Sequence, residues 1–206
     1  MGRARAERYL RSQGPPKEKA PKEDLEDGEE DEEEDSQDTA LDPYELLDPV
    51  DILAKLPKNF FEQVEEKKWQ LRKESLDALL PLSQNHKLAQ GDYHELVKVL
   101  KKFVAKDTNV MLVALAAQCI TGLAKGLRAG FKQSANSCLP VLLEKFKEKK
   151  VNVATALREG VDAVYPILGI EAIQEDVLAS LKAKTPQGRS ETASFLARYQ
   201  HISLPK

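Results

Sequence analysis

The sequence lacks the means for several functions. No apolar run approaches the ~18 residues needed to cross a membrane. Only two cysteines occur, Cys119 and Cys138, each in an apolar helical stretch. They support no disulfide framework or thiolate metal site, and read as reduced core thiols of an intracellular protein. Aromatic residues amount to 6% of the chain, too few for most β-sandwiches. The three histidines, His86, His94 and His201, share no ligand spacing, and there is neither a glycine-rich phosphate loop nor a nucleophile elbow. Adjacent carboxylates such as Glu65-Glu66 read as solvated helix faces. The opening Met1-Gly-Arg-Ala-Arg-Ala6 has no apolar segment behind its charges, and Gly2 lacks the Ser/Thr four positions on, so neither a signal peptide nor a myristoyl anchor is expected. These absences predict no enzymatic activity, cofactor, metal or small-molecule substrate, and no membrane.

What is present is unevenly distributed. Residues 1–38 hold 7 of the 31 Lys+Arg and 14 of the 34 Asp+Glu. Glu23 to Asp38 alone carries 12 carboxylates in 16 positions, a self-repulsion that burial cannot offset. Residues 1–40 are therefore expected to be a disordered acidic linker, and residues 41–206 a compact unit starting at Leu41-Asp-Pro-Tyr44.

From there the pattern is helical. Tyr93, Leu96, Val97, Leu100, Phe103 and Val104 recur at three and four, with Lys98, Lys101 and Lys102 opposite. Asp92 reads as an N-cap, with Glu95 completing a capping box. Pro140 predicts a bend, and Pro81 and Pro166 predict fraying helix ends. Gly122, Gly126 and Gly130, four apart, suit close helix packing. The fold class is all-α.

A weak internal repeat refines this. Lys73-Glu-Ser-Leu-Asp-Ala-Leu79 returns as Arg158-Glu-Gly-Val-Asp-Ala-Val164, 85 residues later, with Ala116-Ala-Gln-Cys-Ile-Thr-Gly122 midway. Half that interval lies in the ~40–47-residue range of HEAT and armadillo helical pairs. Joints at Lys67-Lys68-Trp69, Lys106–Asn109, Lys149–Asn152 and Lys184–Gln187, each basic and polar before an apolar helix, recur at a similar spacing. The expected pairs are 49–66 with 69–84, 92–105 with 109–129, 133–148 with 151–165, and 170–182 with 187–200. Each pair would bury its stripe against its neighbours, forming an α-solenoid.

In such a stack the joints within the pairs fall on one narrow edge, four of them spanning roughly 30–40 Å. That edge would carry Trp69, then Thr108-Asn109-Val110, then Lys149-Lys150, then Lys184 and Arg189. A large aromatic with cations along the same line resembles a protein-binding strip. Periodicity also allows Trp69, seven residues before Leu76, to lie in the core, and Asn109 to be only an N-cap. The basic run Lys145-Phe-Lys-Glu-Lys-Lys150 contains a glutamate and has no aromatic platform beside it, which makes nucleic-acid binding the weaker reading. A general HEAT scaffold holding a peptide on its concave face is the other alternative.

Four segments carry a resemblance: Leu53-Ala-Lys-Leu-Pro-Lys58, Lys67-Lys-Trp-Gln-Leu-Arg-Lys-Glu-Ser75, Lys106-Asp-Thr-Asn-Val-Met-Leu-Val-Ala-Leu-Ala-Ala117 and Leu143-Glu-Lys-Phe-Lys-Glu-Lys-Lys150. Together they resemble the second TOG domain of the animal microtubule-polymerase family, from about Asp42 onward, stopping after about four of six HEAT repeats. The resemblance implies that the joint edge binds the αβ-tubulin heterodimer through Trp69, Thr108, Asn109, Val110, Lys150, Lys184 and Arg189. It also implies a role within a longer array in microtubule plus-end polymerisation. It places the protein in the cytoplasm on the cytoskeleton, at microtubules, spindle, centrosome and kinetochore in mitosis.

Overall fold

The computed structural model describes residues 42–203. The acidic stretch expected to be a linker lies outside the described residues. Eight α-helices follow in order: α1 (Phe60–Gln63), α2 (Trp69–Ser83), α3 (His94–Lys106), α4 (Val110–Leu127), α5 (Lys132–Lys145), α6 (Val151–Leu168), α7 (Ile170–Leu181) and α8 (Pro186–Ser203). A single 3-10 turn, Arg128–Phe131, joins α4 to α5. Beta structure among the described residues amounts to one isolated bridge, Val50 to Leu88.

The helices form two layers, α3 against α5 against α7, and α2 against α4 against α6 against α8. Consecutive helices pair across the layers, as a helical-pair solenoid requires. A Cβ on Gly122, the thirteenth residue of α4, would lie 2.5 Å from the carbonyl oxygen of Ser83, the last residue of α2. One on Gly160, the tenth of α6, would lie 3.6 Å from the hydroxyl of Thr121, the twelfth of α4. Matched heights of this kind mean that α2, α4 and α6 run side by side in one direction. Arg158 of α6 donates to Glu191 of α8, and Arg198 of α8 to Asp162 of α6, which aligns α8 with them. All four second helices therefore start at the same edge.

The expected α3 stripe is the buried one, with Leu96, Val97, Leu100, Phe103 and Val104 inside and Lys98 and Lys102 outside. Burial of each large side chain contributes about 1.5–3 kcal/mol. Helix α4 is apolar nearly all round and buries thirteen of its eighteen residues, because it has neighbours in both layers. Gly122 and Gly126 are the close-packing glycines the spacing suggested: a Cβ on Gly126 would press on Leu88 at 2.6 Å.

Four expectations need correction. The first helix of the first pair is a single turn, 60–63, rather than 49–66. Pro57 removes a helical donor, and the Asp51 carboxylate accepts from the Ala54 N–H, holding the preceding segment in turns. Ile52 and Phe60 still reach the core, fully buried. The Asp92 cap is displaced: α3 starts at His94, whose N–H bonds to the Asp92 carboxylate, while Glu95 pairs with Lys98 instead of completing a box. Pro81 and Pro166 do not end their helices but sit third from the end of each, where the carbonyls they orphan belong to exposed Asp77 and Asp162. Helix α5 continues through Pro140, as a bend rather than a break requires. Finally, the recurring heptapeptide starts at the fifth residue of α2 but the eighth of α6. What repeats is a buried face shifted by about one turn.

The edge where the second helices end is closed. The Tyr44 hydroxyl donates to the Gly126 carbonyl at 2.8 Å, an oxygen that also accepts the Leu88 N–H. Above the Tyr44 ring stand the Arg128 guanidinium, 3.9 Å from its centre, and the Lys87 ammonium at 5.0 Å. Arg128 also pairs with Asp42, and Lys87 with Glu45. Arg128 is the single non-glycine residue with positive φ among those described, at 47°.

Candidate functional site

At the opposite edge lie the four joints within the pairs. The first runs from Val64 to Lys68 between α1 and α2, and the second from Asp107 to Asn109 between α3 and α4. The third spans Phe146 to Lys150 between α5 and α6, and the fourth Lys182 to Thr185 between α7 and α8. They meet laterally. Arg72, one turn into α2, pairs with Asp107 of the second joint at 3.1 Å, and Lys102 of α3 pairs with Glu65 of the first. Lys147 of the third joint, with Ala183, Lys184 and Gly188 around the fourth, lines a shared cavity of about 470 Å³.

Each Cα–Cβ bond in a helix tilts toward the N-terminus, so first-turn side chains overhang the joint that precedes them. Trp69 is the first residue of α2 and is 41% exposed. Leu76, on the same face two turns on, is fully buried. The face is the same, but at the first position of the helix no earlier turn covers the ring. This resolves the alternative left open by periodicity in favour of the edge.

The remaining expected residues fall along the same line. Thr108 is exposed within the second joint. Asn109 is the N-cap of α4, its side-chain oxygen accepting the Met111 N–H at 3.0 Å. Val110 is half-buried and packs on the core. Lys150 precedes α6, and Lys184 sits in the fourth joint, both exposed. Arg189 is exposed too, yet one of its guanidinium nitrogens already donates to the Ala183 carbonyl at 2.7 Å and the Lys184 carbonyl at 3.1 Å.

Two residues escaped the sequence reading. Met111, second in α4, is 46% exposed, and Val151, first in α6, is 79% exposed. Large apolar groups in a first turn beside a polar joint are the signal that could have found them. Together with Trp69 they form an apolar row flanked by the exposed Lys67, Lys68, Lys149 and Lys150.

The other candidate chemistry is weak. Phe146, the aromatic inside the basic run 145–150, is buried, so that run offers no ring on which a base could stack. Burial pushes the thiols of Cys119 and Cys138 up to about 12, which keeps them protonated and poorly nucleophilic. Among the described residues no group of three or more His, Cys, Asp or Glu is placed to hold a metal ion.

No protein-family model matches the chain. Among known proteins it is 56% identical over 159 residues to Protein mini spindles of Drosophila melanogaster, covering 77% of this chain and 8% of that protein. It is 45% identical over 159 residues to Zygote defective protein 9 of Caenorhabditis elegans, covering 76% and 11%. The chain thus spans about a tenth of the length of these relatives. A solved chain from work on microtubule plus-end tracking by XMAP215, CLIP-170 and EB1 matches with a TM-score of 0.72 at 56% identity, covering 75% of this chain and 64% of that one. Another, from work on tubulin recruitment and assembly by microtubule polymerases with TOG domain arrays, matches at 0.75 and 36% identity, covering 81% and 35%. A stack of helical pairs with this backbone, sharing more than half its aligned residues with mini spindles, belongs to the TOG-domain family.

Proposed function

We propose that the edge carrying the four joints binds the αβ-tubulin heterodimer, and that the chain is a non-enzymatic tubulin-capturing module. One observation carries this reading: Trp69, Met111 and Val151 stand exposed in a row at the first turns of three parallel helices, with lysines beside them. An exposed apolar row rimmed by cations suits a partner with an apolar contact and an acidic surround. The solved relative from work on tubulin recruitment by TOG domain arrays supports tubulin as that partner. Trp69 is the apolar anchor; Thr108, Asn109 and Val110 form the second contact, and Lys150, Lys184 and Arg189 supply positive charge.

Within a longer array the module would contribute to microtubule plus-end growth at the spindle and centrosome. Linked modules raise effective tubulin concentration near the plus end, which a single module does not do, so the chain alone should bind tubulin without accelerating growth. The test is gel filtration of the chain with soluble tubulin, with Trp69→Ala alongside. Co-elution that Trp69→Ala weakens about 30-fold, at unchanged helical content, is expected. Undiminished co-elution of the variant would remove the edge from the interaction and favour the concave face.

A further inference from the structure

We infer that Arg72 and Asp107 are positioning residues for the edge: they touch no partner themselves but fix the first joint, and with it Trp69, at a set distance from the second. The inference rests on the tubulin reading of the edge only for its binding arm.

The geometry is a continuous polar chain. One terminal nitrogen of Arg72 donates to the carbonyls of Glu66 and Lys67, both at 2.9 Å, the two residues preceding the Lys68 cap of α2. Its other terminal nitrogen and its Nε both reach Oδ2 of Asp107, at 3.1 and 3.2 Å. The second oxygen of Asp107 accepts the Asn109 N–H at 2.8 Å, and Asn109 in turn caps Met111. Two exposed elements, Trp69 and the first turn of α4, are thereby tied through one guanidinium and one carboxylate.

Both groups are well withdrawn from solvent, with side-chain exposures of 17% and 9%. Both line the open pocket between the first and second joints but present little surface to it, and a charge pair so withdrawn holds its geometry better than a solvated one. Only a planar fork meets carbonyls on one side and a carboxylate on the other; an ammonium cannot. The device recurs at the far end of the edge. Arg189 stands at the fourth position of α8, as Arg72 does in α2, and reaches the carbonyls five and six residues before it. At that position α4 and α6 carry Val113 and Ala154, and the joint before α4 is held by the Asp107–Asn109 turn instead. Without the brace, the first joint would retain only the Glu65–Lys102 pair as a polar tie to the second repeat, and both of those side chains are more than half exposed.

The chain contains one tryptophan, so intrinsic fluorescence reports on Trp69 alone. The experiment compares Arg72→Lys and Asp107→Asn with the parent 206-residue chain. Asp107→Asn retains an acceptor for the Asn109 N–H while removing the charge that Arg72 meets. In both variants, lower tryptophan anisotropy and easier acrylamide quenching are expected without tubulin. About fivefold to tenfold weaker tubulin binding is expected with it, at near-parental helicity and melting. Weaker binding with unchanged tryptophan signals would make Arg72 a direct contact and overturn the inference. So would parental signals and binding, or early melting of both variants with Trp69 unaltered in the protein still folded. If Trp69→Ala leaves tubulin binding intact, the function proposed for the edge fails, while the fluorescence arm still judges the brace.

Discussion

The two ends of the second helices are built on opposite principles. Where α2, α4 and α6 begin, large apolar side chains face water and the joints are held by polar ties such as Arg72–Asp107. Where they end, glycines let the helices approach to contact, and Tyr44 is held over the Gly126 carbonyl between Arg128 and Lys87. One end leaves its apolar groups exposed; the other uses them on itself. The difference teaches that binding and stability should be separable by mutation along the same helix.

The largest expected effect at the closed end is that of Gly122→Ala. Its methyl would have to displace the Ser83 backbone, and a stability loss of about 2–3 kcal/mol is expected from thermal unfolding. Trp69→Ala should lower stability by less than about 1 kcal/mol while removing most tubulin affinity. Equal stability losses in the two variants would break the contrast.

A smaller effect sharpens it at the last pair. Arg158 donates both nitrogens of its fork to the buried carboxylate of Glu191, at 2.7 Å each, and these bonds hold that carboxyl below its ordinary value of 4.5. The folded state therefore takes up this proton only at a lower pH than the unfolded chain does. The stabilisation stands in full above about pH 4.5 and drains away as the pH falls through the depressed value. Glu191→Gln should cost about 1–2 kcal/mol at neutral pH and flatten the acid limb of a stability–pH curve. The smallest effect is that of Tyr44→Phe, which loses one hydroxyl bond for about 1 kcal/mol and leaves tubulin binding unchanged.

The sequence made the solenoid legible because paired helices bury a face whose period survives in the residues, as in α3. It did not reveal the single-turn α1, because an apolar segment with three buried residues, Ile52, Phe60 and Val64, looks helical whether or not its backbone is. The position of α3's start was hidden for a related reason. Tyr93 buries its ring and donates its hydroxyl to the Ala89 carbonyl, so it belongs to the core without belonging to the helix. For Trp69 the periodicity was correct and still insufficient. A helical wheel assigns a face but not a height, and height decided the exposure.

The shared direction of α2, α4, α6 and α8 carries one more consequence. Aligned peptide dipoles leave about half a positive charge at each helix N-terminus. First turns commonly neutralise this with Asp or Glu, as Glu62, Glu95 and Glu171 are placed to do in α1, α3 and α7. None of the four second helices has an acidic residue there. Because α3, α5 and α7 end at the same joints, their negative dipole ends offset this charge, and the positive potential of the edge rests on exposed side chains such as Lys67, Lys68, Lys149 and Lys150.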